Sequence, residues 1–212
     1  DADRQVLADA LTRALEQCRE QGQRLSKARK KAAQHFDRTV SAHMERLGFT
    51  GGSFSTRFTP VDEPASCGME TIDFLVRTNP GEPLLSLAKT ASGGEISRLM
   101  LAIKTVLSDH DHIPVLIFDE IDTRMGGMLA NEVARALRDL GRSHQVLCIS
   151  HLHQIASTAD HHYRVHKKVE QGRTTTHVDR LEGTEKIHEI ARMLGDDSEI
   201  SREHAKKLLN RK

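Results

Sequence analysis

The stretch IPVLIFDEID, Ile113 to Asp122, joins a nearly continuous apolar run to three carboxylates. A second run of this kind, QVLCIS, ends at Ser150 and is followed by His151. Between the two runs, segment 128–141 has apolar residues at helical spacing and ends in glycine. Short apolar runs separated by a helix are typical of parallel strands that are covered on both faces. The sequence therefore predicts a strand–helix–strand unit.

Polar residues follow both predicted strands. Asp119 and Glu120 end the first strand, and Ser150 and His151 come at the end of the second. Ligands of open parallel sheets bind beyond the carboxyl ends of the strands, and paired carboxylates there favour Mg²⁺ with a nucleotide phosphate. We predict that Asp119 holds the magnesium ion, that Glu120 orients or deprotonates an attacking water, and that His151 hydrogen-bonds the phosphate or that water. The alternative is that polar residues simply end two strands.

Upstream of this unit, the stretch KTASGGEISRLMLAIK (89–104) places two glycines before an apolar segment with helical spacing. Ser92 and Glu95 fit a capping box, which begins many ordinary helices. Gly93 and Gly94 would also allow backbone N–H groups to approach a phosphate at the positive end of the helix dipole. Taken alone, this stretch fits either an ordinary helix start or a phosphate-binding one.

The first part of the chain has a different pattern. Segment 6–47 contains no proline, and its apolar residues recur at steps of three, four or seven. This pattern predicts one amphipathic helix of about 60 Å, whose narrow apolar seam suits a coiled-coil partner. We predict a coiled-coil helix over residues 1–48 and a second domain over residues 49–212.

Further elements are expected within the second domain. Alternating apolar residues predict strands over 54–58 and 70–78, separated by a loop that contains Pro60 and Pro64. A hairpin with its turn near Gln171 follows the strand–helix–strand unit, and two helices follow the hairpin.

Composition restricts the class of protein. The 31 basic and 30 acidic residues nearly cancel, so any contact with a polyanion must be local. Three cysteines without a CxxC pair fit reduced thiols and argue against a disulfide framework. The chain has no apolar run of about 18 residues and no signal peptide, so we expect a cytoplasmic protein without membrane contact. Residue 1 is aspartate, which favours a piece cut from a longer chain.

Three segments together carry a resemblance to a known family. SGGE (92–95), VLIFDE (115–120) and SHLHQIA (150–156) resemble, in this order, the C-terminal lobe of an ABC-type ATPase head. With IDTRMGG (121–127) and the preceding helix, they are similar to the RecN family, which consists of SMC-like ATPases of bacterial DNA repair. The resemblance implies an α/β fold: a mostly parallel sheet flanked by helices, with a protruding coiled-coil helix. It also implies a role in recombinational repair of DNA double-strand breaks.

The resemblance implies ATP and Mg²⁺ as cofactors and gives each segment a role. SGGE looks like the signature motif, which binds ATP held by an opposite head, and VLIFDE looks like the Walker B motif. Asp122 begins the D-loop and His151 is the switch histidine. The nucleotide-binding residues implied are Ser92, Gly93, Gly94, Glu95 and Asp122. The partners implied are the N-terminal half of the same head, a second head in a homodimer, and DNA contacted through its phosphates, in the cytoplasm at the bacterial nucleoid.

Two positions depart from the family pattern, and one motif is missing from the sequence. Arg124 stands where the family usually has glycine, and His153 where it usually has proline. No G-x-x-x-x-G-K-[S/T] loop occurs, so we expect the chain to hydrolyse ATP only when it is joined to a half that supplies this loop. The alternatives are a DNA-tethering coiled-coil protein that does not hydrolyse ATP, and another SMC-like or RecF-like repair ATPase.

Overall fold

The computed structural model describes residues 2–89, 93–170 and 172–210. It forms two compact units, one within residues 1–91 and one within residues 92–212. The predicted α/β class is confirmed. The expected mostly parallel sheet is wrong for the described residues, because one strand pair is parallel and three are antiparallel. The first compact unit contains both the long helix and the strands that follow it. The domain boundary after residue 48 stays a prediction.

The long N-terminal helix is confirmed. Helix α1 (Ala2–Arg46) runs for 45 residues, close to the predicted range of 6–47. It ends before Gly48, whose φ of 91° lies in the left-handed region that glycine adopts without steric cost. A glycine therefore stands at the C-terminal end of the helix, where the left-handed conformation ends helical pairing.

An antiparallel hairpin follows α1. Strand β1 (Ser53–Ala65) pairs with β2 (Gly68–Arg77), and β2 also pairs with the short strand β3 (Leu85–Ser86). The predicted loop around Pro60 and Pro64 is wrong, because both prolines lie inside β1. The pairing register shifts between Pro60 and Ala65, and such an irregularity accommodates residues that cannot donate to a ladder.

The hairpin covers the C-terminal half of α1. The rings of Phe36, Phe54 and Phe74 pack with centroids 5.3 to 6.0 Å apart. The Asp37 carboxylate accepts hydrogen bonds from the backbone N–H and the hydroxyl of Thr56 at 2.9 and 2.7 Å. The C-terminal part of the predicted apolar seam of α1 therefore packs against strands. Near the N-terminus the apolar residues are exposed instead: Val6, Leu7 and Leu11.

The second unit begins with a helix, which the predicted strand–helix–strand arrangement follows. Helix α2 (Gly93–Leu107) precedes strand β4 (Val115–Phe118), helix α3 (Gly127–Leu140) and strand β5 (Gln145–Cys148). Strands β4 and β5 are parallel and in direct register, so the predicted unit is confirmed. Within the described residues this pair is the parallel part of the fold, and the two other sheets are antiparallel.

One face of the β4–β5 sheet is exposed. Leu116 and Phe118 are buried, whereas Ile117 and Leu147 are 68% and 46% exposed. Within the described part of the chain, one face of this parallel pair is therefore left uncovered. The exposed face is as apolar as the buried one. Besides Ile117 and Leu147, it carries Val115 and Ile149.

The rest of the second unit is a hairpin and three helices. The four-residue helix α4 (His153–Ala156) precedes strands β6 (His162–Glu170) and β7 (Arg173–Leu181), and helices α5 (Thr184–Leu194) and α6 (Glu199–Leu209) follow. The predicted hairpin and the two final helices are confirmed, and Gln171 of the turn lies outside the described residues. None of the helices in the described ranges is long and apolar enough to cross a membrane.

Candidate functional site

The turn after β4 holds two non-glycine residues in the left-handed region. Glu120 has a φ of 55° and Arg124 a φ of 59°. The Thr123 N–H donates to the Glu120 carbonyl at 3.1 Å, and this hydrogen bond closes a turn over residues 120–123. Such conformations cost about 1–3 kcal/mol each and concentrate at functional sites. The predicted Walker B glutamate therefore occupies a strained backbone position.

The two glycines at the start of α2 lie against this turn. A Cβ added at Gly93 would lie 3.0 Å from the Glu120 carboxylate oxygen Oε2. At Gly94, an added Cβ would lie 2.9 Å from the Glu120 carbonyl oxygen and 3.0 Å from Thr123 Cβ. At Gly94 the neighbour is backbone, which cannot move aside as the Glu120 carboxylate beside Gly93 can, so the second SGGE glycine is needed within the chain itself.

Side chains further along α2 hold the same turn. The Ser97 hydroxyl donates to the Asp119 carbonyl at 2.8 Å, and the Arg98 guanidinium donates to the Thr123 carbonyl at 3.3 Å. Burial lowers the pKa of Arg98, and the negative charge of Glu95 acts in the opposite direction. The first turns of α2 and the residues after β4 thus form one hydrogen-bonded structure.

The loop after β5 is joined to the same turn through Asp122. This carboxylate is buried, with 4% of the side chain exposed. Its Oδ2 atom accepts hydrogen bonds from the Ser150 hydroxyl at 2.6 Å and from the His151 backbone N–H at 2.8 Å. The His151 ring atom Nδ1 lies 3.0 Å from the same oxygen, while 74% of the His151 side chain is exposed.

The structure brings most of the predicted site residues to the carboxyl ends of β4 and β5. Gly93, Gly94 and Glu120 meet on the side of α2, and Asp122 meets His151 on the side of β5. Ser92 lies outside the described residues. The others lie nearby: Asp119 is exposed at the end of β4, and Glu95 lies half-buried in the first turn of α2.

The two departures from the family pattern have structural consequences. Arg124 adopts the positive φ that glycine would adopt more readily, and its side chain is exposed. His153 is the first residue of α4, a position where proline is also well tolerated. The loop after His151 therefore turns directly into a helix.

A magnesium ion fits the Asp119 position in part. Mg²⁺ in nucleotide sites takes one or two protein carboxylates and completes its shell with phosphate oxygens and water. Asp119 is an exposed carboxylate next to Glu120, which satisfies the protein's share of this requirement. No group of three histidine, cysteine or acidic side chains converges on a metal position within residues 2–89, 93–170 and 172–210. These residues suit an ion that arrives with a nucleotide.

Three residues of this region were not predicted as functional: Ser97, Arg98 and Thr123. Ser97 lies one helical turn after Gly93, on the same face of α2. This spacing is the sequence signal that could have indicated that Ser97 contacts the site. Cys148 precedes the site, and burial, followed by the charges of Asp122 and Asp119, raises the pKa of its thiol to about 12, which favours the neutral thiol.

Solved structures with the same fold define the class. The chain is similar to the Smc head domain with a coiled coil and joint from Pyrococcus yayanosii, with a TM-score of 0.61 and 17% identity over 91% of this chain and 35% of that one. It also matches the Smc head domain from Pyrococcus furiosus solved with the C-terminal domain of ScpA, with a TM-score of 0.51 and 22% identity over 78% of this chain and 39% of that one. The chain therefore has the fold of part of an SMC head domain.

Sequence relatives identify the family. The chain is 42% identical to the DNA repair protein RecN of Halalkalibacterium halodurans over 88% of this chain, and 43% identical to RecN of Deinococcus radiodurans over 89%. It is 40% identical to RecN of Treponema pallidum over 98% of this chain. The chain therefore belongs to the RecN family. It spans about a third of the length of these relatives: 34%, 33% and 38%. No protein-family model matches it.

Proposed function

We propose that this chain supplies part of the ATP-hydrolysing head of an SMC-like DNA repair protein. It contributes the signature, Walker B, D-loop and switch segments, and the rest of the protein contributes the phosphate-binding loop that this sequence lacks. The chain alone does not hydrolyse ATP, and the joined head does. Its place is the bacterial cytoplasm at the nucleoid, in the repair of double-strand breaks.

Each predicted site residue has one role in this reaction. Asp119 holds Mg²⁺, which neutralises charge on the phosphates of bound ATP. Glu120 orients the attacking water and accepts its proton, and His151 contacts the phosphate or that water. The signature residues bind the phosphate of ATP carried by a second, identical head, through backbone N–H groups at the start of α2: Ser92, Gly93, Gly94 and Glu95.

The observation that carries the proposal is the contact between Gly93 and Glu120. The predicted signature and the predicted catalytic carboxylate are 27 positions apart in sequence, yet a Cβ added at Gly93 would lie 3.0 Å from Glu120 Oε2. An ordinary helix start has no need of a carboxylate there. A backbone that keeps Glu120 at a φ of 55° supports a functional role for its side chain.

The exposed face of the β4–β5 sheet supports a partner lobe. Ile117 and Leu147 expose 68% and 46% of their area on a parallel pair, and parallel sheets are normally covered on both faces. We assign this face to the remainder of the same head. In the same way, the exposed apolar residues of the first turns of α1 suit a coiled-coil partner, including Leu7 and Leu11.

The experiment that tests the proposal compares two glutamate substitutions in the full-length protein that carries this chain. Glu120→Gln keeps the size of the side chain and removes the carboxylate. It should reduce steady-state ATP hydrolysis about 100-fold or more while ATP binding persists. Glu170→Gln, at the exposed end of β6, is the matched control and should hydrolyse ATP like the wild type.

The same measurement separates the enzyme from the DNA tether. If neither the wild type nor Glu120→Gln hydrolyses ATP, whereas both bind DNA, the protein is a tether. The departure at Arg124 favours the tether, because a family glycine is replaced there; Arg124 nevertheless adopts a φ of 59°, the left-handed conformation that glycine adopts readily.

DNA contact is proposed through phosphates and basic side chains. The candidate lysines are Lys30, Lys31, Lys167, Lys168, Lys206 and Lys207. Lys30 and Lys206 form ion pairs with Glu70 and Glu203 at 2.7 and 2.5 Å, which leaves the other four as better candidates. Binding to duplex DNA should weaken steeply as salt rises, and a flat salt response would contradict phosphate contact.

A further inference from the structure

The Asp122 carboxylate directs three hydrogen-bond contacts onto the loop that carries His151. Its single atom Oδ2 lies 2.6 Å from Ser150 Oγ, 2.8 Å from the His151 backbone nitrogen and 3.0 Å from His151 Nδ1. The Ser150 hydroxyl also accepts from the Leu152 N–H at 3.0 Å. Both the backbone and the ring of His151 are therefore fixed by the same buried oxygen.

These contacts determine which ring nitrogen of His151 carries hydrogen. An ionised carboxylate only accepts hydrogen bonds, so Nδ1 must donate to Oδ2. In the neutral ring, Nε2 is then left without hydrogen and is an acceptor. A buried carboxylate and an exposed imidazole form the arrangement in which the carboxylate fixes the tautomer and the ring acts on a ligand.

We propose that Asp122 is a positioning residue, which holds His151 in the Nδ1–H tautomer and directs Nε2 toward the ATP site. This inference rests on the proposed function, in which His151 contacts ATP or the attacking water. It differs from the role that the family resemblance implies for Asp122, which is direct contact with nucleotide. Here the residue acts through His151 within one chain.

Asp122 also connects the two candidate catalytic groups. It lies two residues after Glu120, within the turn that the Thr123 N–H closes onto the Glu120 carbonyl at 3.1 Å. Any movement of this turn therefore moves Glu120 and the anchor of His151 together. The Nε2 acceptor of a neutral His151 suits the O–H of a water, whereas a phosphate oxygen would require the protonated ring.

A double-mutant cycle in the full-length protein tests this role. Asp122→Asn keeps the volume and an accepting oxygen but removes the negative charge beside Nδ1. It should lower kcat for ATP about 10- to 100-fold with KM within about threefold of wild type, as His151→Ala should. If Asp122 acts through His151, adding Asp122→Asn to His151→Ala should lower kcat no further. Asp109→Asn, on the exposed turn after α2, is the matched control and should leave kcat unchanged.

A readout that does not depend on activity accompanies the cycle. In protein labelled with ¹⁵N-histidine, the His151 signal is assigned by its loss in His151→Gln, a substitution at an exposed side chain. The wild type should show the Nδ1–H tautomer, and Asp122→Asn should shift the signal toward Nε2–H. Ser150→Ala, which removes one donor and keeps the ring contact, should retain Nδ1–H even if Asp122→Asn does not fold.

The outcomes separate this inference from the proposed function. An Nε2–H tautomer in the wild type overturns the inference while leaving ATP hydrolysis possible. Additive losses of kcat in the double mutant also overturn it, because Asp122 then acts independently of His151. If the wild type shows Nδ1–H but hydrolyses no ATP, the positioning contact stands as a structural fact, and both the proposed function and the catalytic meaning of the contact are wrong.

Discussion

Gly94 and the Glu120 carbonyl are in closer contact than any other residue type at position 94 would permit. A Cβ at position 94 would lie 2.9 Å from that oxygen and 3.0 Å from Thr123 Cβ. Both obstacles belong to a turn whose backbone is hydrogen-bonded at 3.1 Å, so neither yields cheaply. The second signature glycine is therefore required by packing inside one chain, in addition to any contact with a phosphate.

Gly94→Ala should destabilise the second unit. Forcing a methyl group into this contact is expected to cost about 1–3 kcal/mol, because the α2 backbone must move away from Glu120. The measurement is the midpoint of denaturant unfolding. The matched control is Gly126→Ala, where an added Cβ meets nothing within 4 Å, and its loss should be smaller. Equal midpoints for the two variants would show that the Gly94 contact is not tight in solution.

Arg124 gives a second prediction, because it carries a Cβ at a φ of 59°. Arg124→Gly should be more stable than Arg124→Ala by about 1 kcal/mol, since only alanine keeps the clash of the left-handed conformation. At ordinary exposed positions glycine is the less stable of the two by about 0.5–1 kcal/mol. The comparison uses thermal unfolding of both variants, and an alanine variant that is the more stable would rule out strain at this residue.

Sequence patterns predicted the regular elements well where a single period continues for many residues. The absence of proline over 6–47 and its apolar spacing predicted α1, and two apolar runs flanking a helix predicted the parallel pair β4–β5. The pattern reveals which side of a helix is apolar but not what covers it. Phe36 has the same spacing whether it faces a second helix or, as here, Phe54 and Phe74 of a hairpin.

The strand around Pro60 shows a different limit. Two prolines argue for a loop, because proline cannot donate to a sheet ladder. The structure accommodates Pro60 and Pro64 in β1 through a register shift. Such an irregularity depends on which backbone groups face the partner strand, and composition alone does not contain that information.

The sequence predicted the site as separate groups at strand ends. It did not predict the hydrogen bonds and close contacts that connect those groups. Asp119, Glu120 and His151 follow from their places after apolar runs. The hydrogen bonds from Ser150 and His151 to Asp122 depend on the turn that brings Asp122 inward, and so does the approach of Gly94 to Glu120. Left-handed backbone at a glutamate has no sequence signal, because glutamate rarely adopts it.

The contact between the last two helices predicts a pH dependence. Arg202 donates two hydrogen bonds to the Asp197 carboxylate at 2.8 and 2.9 Å, and His188 Nδ1 lies 2.9 Å from it. Arg202 first, and then His188, lower the pKa of Asp197 to about 2. Because the folded pKa lies below the unfolded one, this contribution to stability is present above about pH 4 and is lost as the pH falls toward about 2.

Asp197→Asn should therefore lower the unfolding temperature at pH 6, and the difference from wild type should shrink as the pH falls through about 2. Salt should weaken the effect, because these side chains are about 42% exposed. Circular dichroism melts over this pH range make the measurement, with Asp109→Asn as the control for a lost surface charge. A constant difference at every pH would mean that the carboxylate charge of Asp197 contributes nothing.

The final prediction separates the roles of two neighbouring lysines of α1, Lys30 and Lys31. Both side chains are exposed, but Lys30 Nζ lies 2.7 Å from the buried Glu70 carboxylate and 5.8 Å from the Phe58 ring centroid. Lys30, and then the Ser26 hydroxyl, lower the pKa of Glu70, which shows that both stabilise its charged form.

Lys30→Ala removes the cation from a carboxylate that is only 6% exposed, so it should lower the unfolding temperature by a few degrees. Lys31→Ala should leave that temperature unchanged. If this patch contacts DNA phosphates, Lys31→Ala should weaken binding for every sequence alike and reduce the slope of log affinity against log salt by about 1. Thermal melts and DNA titrations at several salt concentrations measure the two effects. A Lys30→Ala protein that melts like the wild type would show that the Glu70 ion pair does not hold the hairpin to α1.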